Sequence, residues 1–274
     1  MINSFKTICS GCGACLSICT SSAIELRKNS EGFLQPYISP EKCQLCNACE
    51  TVCPMFSQNI IPQPDTASVY VFAAEDSLRW ESRGGGFLIQ LAQYILSKGG
   101  IVCGPAFSPD FYSVEYRLID NTQDLPAICN FPPIQASPTG VFSQLQKELQ
   151  NSGRKVLFIG TPCHVMGLKT FLKQEYTNLL TVSSSCEGVS SAYAWECFLE
   201  SQKKDGKVRN VRFDSKAFGF RKSLQLVFDA GNSREESQWW IPAMEAGLQL
   251  CRGCYTCPYS LEKTAADLTV GVFL

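Results

Sequence analysis

The sequence predicts an α+β protein in two unequal parts, a small cysteine-bound unit followed by a larger mixed α/β domain. Two cysteine runs of identical spacing fill the first 53 residues, and a Pro-, Gln- and Ser-rich stretch follows them. Beyond it, strand-sized apolar segments alternate with helix-sized amphipathic ones. A chain of 274 residues can build a core well beyond the first unit. The parts are placed at residues 1–60 and 69–274, with PMFSQNIIPQPDTAS at 54–68 as the linker.

The first run, CSGCGACLSIC at 9–19, and the second, CQLCNACETVC at 43–53, share the pattern C-x2-C-x2-C-x3-C and begin 34 residues apart. Three cysteines at steps of three let a tight loop wrap one [4Fe-4S] cubane, while the fourth, beyond its reach, serves the other cluster. Cys9, Cys12, Cys15 and Cys53 are assigned to one cluster, and Cys43, Cys46, Cys49 and Cys19 to the other. Thiolates are soft donors suited to iron. The small residues Gly11, Gly13, Ala14 and Ala48 let backbone N–H groups approach the sulfurs. Zinc has little use for such a doubled run, and disulfides call for an exported chain, whereas MINSFKTICSG has no apolar leader. Pro54 follows Cys53, but Thr20 follows Cys19, which loosens a turn without removing a ligand. Between the runs, Ile24 and Leu26, then Phe33, Leu34 and Ile38, mark two short strands about a turn at 29–32. The repeat is that of bacterial-type two-cluster ferredoxins, a unit whose folding depends on its iron.

Hydrophobic residues at 45% and charged residues at 18% are ordinary for a globular protein. A formal net charge of -1 gives no electrostatic reason to expect nucleic acid or an anionic membrane. No stretch reaches the roughly 18 apolar residues of a membrane span. Sixteen cysteines are the anomaly, and a reducing cytoplasm is the expected location.

In the second part, VYVFAA at 69–74 reads as a strand and 75–79 as a short helix. The glycines at 84–86 precede a helix with Phe87, Leu91, Tyr94 and Ile95 on one face; they form either a phosphate-binding turn or a plain one. Residues 101–107 read as a strand and 113–119 as its alternating partner. The region 127–138 is irregular, and the helix from 141 ends at Gly153. KVLFIG at 155–160 is a buried strand running into TPCHVMGLKTFLKQ, a strand-to-helix transition where α/β proteins place ligand sites. A strand at 179–186, a helix at 191–201 and strands at 208–213 and 223–231 follow. Trp239 and Trp240 join the core or line a cofactor. CRGCYTCP at 251–258 is half a cluster motif, and Cys163 and Cys186, at strand ends, are the best thiols to complete a third cubane. Cys103, Cys129 and Cys197 read as inert small hydrophobes.

The two runs, Gly84-Gly85 before a helix, GGIVCGPAF at 99–107, VLFIGTPCHVMGLKTFL at 156–172, CEGVSS at 186–191, CYTC at 254–257 and ADLTVG at 266–271 form an ordered set. It resembles the coenzyme F420 hydrogenase and dehydrogenase beta-subunit family, in the form with a fused N-terminal ferredoxin domain, over nearly all of the chain. The resemblance implies an iron-sulfur flavoprotein oxidoreductase that passes electrons between ferredoxin-type clusters, FAD and an organic substrate or a deazaflavin (F420-like) partner. The alternative is a non-catalytic electron-transfer subunit feeding a partner enzyme. By the likeness, Cys163, Cys186, Cys254 and Cys257 ligate an inner [4Fe-4S] cluster, while Gly84, Gly85 and Thr161 lie near the flavin phosphates or ring. Arg83 stands where a small hydroxyl residue is usual, placed to pair with a flavin phosphate or to obstruct it. His164, the chain's only histidine, replaces a usual glutamine and tunes a cluster, donates a proton or fills space. Partners implied are a ferredoxin or other redox protein and a catalytic subunit. Family members normally continue beyond the equivalent of Leu274, so a flavin site that is incomplete, partner-supplied or lost is also expected. No catalytic residue is assigned.

Overall fold

A computed structural model describes residues 8–55, 68–82, 85–128, 130–214, 222–236, 239–259 and 264–271. Helix α1 (Ala14–Ile18) begins within the first cysteine run and is followed by a hairpin of β1 (Ile24–Lys28) and β2 (Leu34–Ile38), with Ile24 opposite Ile38. Asn29 makes the turn, because its side-chain oxygen accepts the N–H groups of Glu31 at 3.0 Å and Phe33 at 2.9 Å. Helix α2 (Ala48–Thr51) repeats α1 in the second run. The N-caps Gly13 and Asn47 are both left-handed, with φ of 76° and 58°, and so are Gly11 and Leu45 two residues earlier, at 75° and 54°. The repeat in spacing is thus a repeat in backbone conformation.

The larger part opens with α3 (Asp76–Glu81) and α4 (Phe87–Ser97). Strands β3 (Ile101–Phe107) and β4 (Val114–Ile119) follow, then α5 (Val141–Asn151), β5 (Val156–Gly160), α6 (Pro162–Leu172), β6 (Leu179–Ser184) and α7 (Ala192–Gln202). After them come β7 (Val208–Phe213), β8 (Leu224–Phe228), β9 (Ser233–Glu236), α8 (Trp240–Glu245), α9 (Arg252–Tyr255) and β10 (Leu268–Val270). One sheet has the order β10-β6-β5-β3-β4, parallel except for β4 at its edge. Strands β3 and β5 are buried along their whole length, since helices cover both faces. Alternation sorts their side chains. Val102, Ala106, Leu157 and Ile159 pack with Ile89, Ala92, Ile95 and Leu96 of α4. Ile101, Cys103, Phe107, Val156 and Phe158 pack with α5, α6 and α7.

The antiparallel sheet β7-β8-β9 extends this second core. Trp195, Phe198, Phe213 and Trp240 pack ring on ring there, and Trp195 Nε1–H donates to the Phe111 carbonyl at 2.7 Å. The chain is therefore a mixed protein, a ferredoxin domain followed by an α/β domain.

Four sequence expectations need correction. VYVFAA forms no strand; Val69, Tyr70, Val71 and Phe72 are exposed, since β-propensity needs an edge to pair with. Helix α4 is turned from the expected face, with Tyr94 59% exposed and Ile89, Ala92 and Leu96 buried, because it is apolar on nearly every side. The tryptophans divide, Trp240 in the core and Trp239 half exposed. Cys197 lies exposed on α7 instead of inert in the core, whereas Cys103 is fully buried. Cys129 and residues 56–67 of the expected linker lie outside the described residues. Among those described, no helix is long and apolar enough to cross a membrane.

Candidate metal centres

The first run lies under the α/β domain. Burial pushes the Cys9 thiol up to about 11 and Cys15 up to about 12, and carries Cys12 well above its ordinary value. Neighbouring thiols add to the shift. Cys53 acts on Cys9, Cys12 and Cys15, Cys15 acts on Cys12, and Cys9 acts on Cys15. The four residues assigned to one cluster therefore crowd together where their thiolates repel one another, a frustration that a cationic iron core removes. Gly11 N–H already donates to Cys9 Sγ at 3.4 Å.

The second set is open. Cys46 is exposed, and Cys43 acts on Cys49, whose thiol partial burial raises. Burial works to raise Cys19 as well, but the Ser21 hydroxyl and nearby N–H groups outweigh it and hold the thiol below its ordinary value. One of those donors is Ala23 N–H, 3.3 Å from the sulfur.

The inner set assembles from three places. Cys163 is the second residue of α6, Cys186 follows β6, Cys254 lies on α9 and Cys257 just beyond it. Burial pushes Cys163 up to about 12, and Cys186, Cys257 and Cys254 all add to the rise. Gly188 N–H donates to Cys186 Sγ at 3.4 Å. The other three thiols implied by the resemblance thus lie within electrostatic reach of Cys163. Among the described residues no group of three His, Cys, Asp or Glu is drawn together tightly enough for a single metal ion. A cubane differs, since it takes one thiolate at each iron corner.

Several contacts join the inner and first sets. A Cβ on Gly167 of α6 would lie 2.9 Å from Cys12 Sγ, so glycine is what lets this helix reach the cysteine loop. Cys12 and Cys163 are close enough to interact electrostatically. Thr170 Oγ1–H donates to the Val52 carbonyl at 2.7 Å, and the Tyr259 hydroxyl donates to the Pro54 carbonyl. Cys251, part of the half motif CRGCYTCP but outside the ligand set that the resemblance implies, is buried with its Sγ–H donating to the Cys9 carbonyl at 3.3 Å. Its thiol also lies beside Cys254 and holds that thiol below its ordinary value. Its place in CRGCYTC was visible in the sequence, but the partner 242 positions away was not.

The proposed flavin residues are placed differently. Arg83 and Gly84 lie outside the described residues. Gly85 is exposed and its carbonyl accepts Ala74 N–H at 3.0 Å. Thr161 is the N-cap of α6, with its hydroxyl 2.7 Å from His164 Nδ1 and 3.2 Å from Cys163 Sγ. His164 is buried against the Tyr116 ring at 4.9 Å, and burial lowers it to about 4, against a weaker pull from the Ala136 carbonyl. Among the described residues of the flavin set, then, Gly85 bonds Ala74, and Thr161 and His164 contact Cys163. Asp267 of the ADLTVG landmark anchors β10. It accepts Thr181 N–H and Oγ1–H, both at 2.7 Å, and Lys169 Nζ at 3.1 Å. Burial works to raise this carboxyl, but those donors prevail and hold it below its ordinary value.

Residues 8–56 match the model of the 4Fe-4S dicluster domain, and residues 153–273 match that of the C terminus of the coenzyme F420 hydrogenase/dehydrogenase beta subunit. An uncharacterized polyferredoxin-like protein of Methanocaldococcus jannaschii is 36% identical over 60 residues, which cover 19% of this chain and 36% of that relative. The chain thus spans about a third of this curated relative. A solved structure of the F420-reducing [NiFe] hydrogenase complex from Methanosarcina barkeri aligns with a TM-score of 0.49 and 15% identity, over 71% of this chain and 66% of that one. Behind a 4Fe-4S dicluster domain, residues 153–273 thus carry the C-terminal domain of the coenzyme F420 hydrogenase/dehydrogenase beta subunit.

Proposed function

We propose that the chain is an iron-sulfur electron conduit, running from the second cysteine set through the first to an inner site held by Cys163, Cys186, Cys254 and Cys257. When bound, the three [4Fe-4S] clusters supply one-electron carriage. The chain holds, spaces and shields them. Cys46, exposed, leaves the second set open to a redox partner such as a ferredoxin. The α/β domain covers the first set and excludes water from it. The observation that carries this reading is the close approach of Cys12 to α6 at Gly167, which brings the first set within electrostatic reach of Cys163.

A flavin reductase is the second reading, in which a bound FAD would supply two-electron, hydride-delivering chemistry toward an organic substrate or deazaflavin. The eleven-residue helix α4 favours it, since its N-cap Gly86 is left-handed and provides no side-chain cap, leaving backbone N–H groups for a phosphate.

Anaerobic reconstitution followed by iron, sulfide and flavin analysis tests both. The conduit gives about 12 iron atoms per chain without flavin, and the reductase gives the same iron with one FAD. Cys163→Ser should lower the count to about 8 while the first two clusters remain. A wild-type count of about 8 would eliminate the inner site.

A further inference from the structure

We propose that Thr161 is a positioning residue that sets the reduction potential of the inner cluster by donating its hydroxyl hydrogen to Cys163 Sγ, and that His164 aims that hydroxyl. The inference rests on the inner-cluster reading above. A cluster-bound thiolate carries no proton and only accepts. With Thr161 Oγ1 at 3.2 Å from Cys163 Sγ, the hydroxyl is therefore the donor.

A hydroxyl can rotate, and this one has a second neighbour, His164 Nδ1 at 2.7 Å. Among the described residues His164 Nε2 is buried with no partner in good hydrogen-bond geometry, the Ala136 carbonyl pulling on the ring only weakly, so Nδ1, 2.7 Å from Thr161 Oγ1, is the better-matched place for the ring proton. At Nδ1 the same proton meets the Thr161 oxygen. Nδ1–H then occupies an oxygen lone pair and leaves the hydroxyl hydrogen only the sulfur to point at. The Tyr116 ring, itself buried and 4.9 Å from the imidazole, keeps the histidine in register.

Reduction adds negative charge to the cluster and its thiolates, and a hydrogen bond donated to sulfur stabilises that charge. The Thr161 bond thus raises the potential of the inner cluster alone, since neither side chain bonds to the cysteines of the first two sets. The inner site becomes the more favourable electron sink at the end of the conduit.

The test is a redox titration of the reconstituted full chain, followed by electron paramagnetic resonance so that each cluster reports separately. Thr161→Val should move the inner midpoint to lower potential with the other two unchanged, and Thr161→Ser should keep it near wild type. His164→Leu should shift it in the same direction as Thr161→Val, and His164→Gln, which retains an N–H donor, should bring it back. Iron analysis on each sample confirms that the clusters are present. Three wild-type signals with an unmoved inner midpoint in Thr161→Val, or an equal shift of all three, overturn the assignment while leaving the inner cluster in place. Only two wild-type signals would overturn the inner-cluster reading and this inference with it.

Discussion

Gly11 and Gly13 in the first cysteine run match Leu45 and Asn47 in the second, 34 residues on, and all four hold a left-handed backbone. Their surroundings differ. A Cβ on Gly11 would run into the Gln135 amide and one on Gly13 into the Pro138 ring, whereas Leu45 and Asn47 are exposed. Ligand spacing fixes the backbone of both runs, and that backbone admits ordinary residues. Glycine is needed in the first run because another domain lies against it. One repeat thus yields a shielded centre and an open one, which is the asymmetry a conduit uses.

The largest effect should come from giving the first run the residue of the second. Gly13→Asn keeps a residue type that tolerates the left-handed region, so its cost measures the collision with Pro138, a rigid ring that has no rotamer to escape into. Overpacking of this kind costs about 1–3 kcal/mol. Anaerobic urea unfolding should show that loss, and chelator challenge should release iron from the first set sooner than in wild type. An unchanged unfolding midpoint would mean that the domain does not press on this loop.

A smaller effect is expected at Thr170, whose hydroxyl reaches the Val52 carbonyl beside Cys53 at 2.7 Å and also the Gly167 carbonyl at 3.1 Å. Thr170→Val keeps the shape and removes the donor, for a loss of about 1 kcal/mol. Iron of the first set should leave more readily under chelator, with release from the second set unaltered. Equal acceleration at both sets would mean that the bond supports the fold at large and not the shielded centre.

How much of this the sequence showed depends on the range of the forces involved. The hairpin about Asn29, the strands at 101–107 and 156–160 and the helices at 141–151 and 192–202 follow from local pattern, and the structure has them. So does the fall of the cysteine runs into one repeated backbone. The face of α4 was not legible, because a helix apolar on most sides leaves its orientation to packing. Nor was the fate of VYVF, since a strand exists only where an edge receives it. Within the candidate sites, CRGCYTCP and the strand-end thiols Cys163 and Cys186 were legible in the residues themselves, and the likeness to the family narrowed the set to Cys163, Cys186, Cys254 and Cys257. The contacts of Cys251, Gly167 and Thr170 were not legible, for each is made with a partner more than 100 positions away. His164 was noticed as an anomaly, but only folding shows that it faces Thr161 and not solvent.

The smallest effect should come from the reciprocal change, Asn47→Gly. Glycine relieves the strain of φ at 58° but adds freedom to the unfolded chain, two terms of opposite sign and similar size. Asn47 gives α2 no side-chain cap and is exposed, so no packing is lost with it. The net change should stay within about 0.5 kcal/mol, as for surface sites generally, and iron release from the second set should match wild type. A loss as large as that of Gly13→Asn would show that the second run has a built contact of its own. The open centre would then be a covered one, and entry of electrons at Cys46 would have to be abandoned.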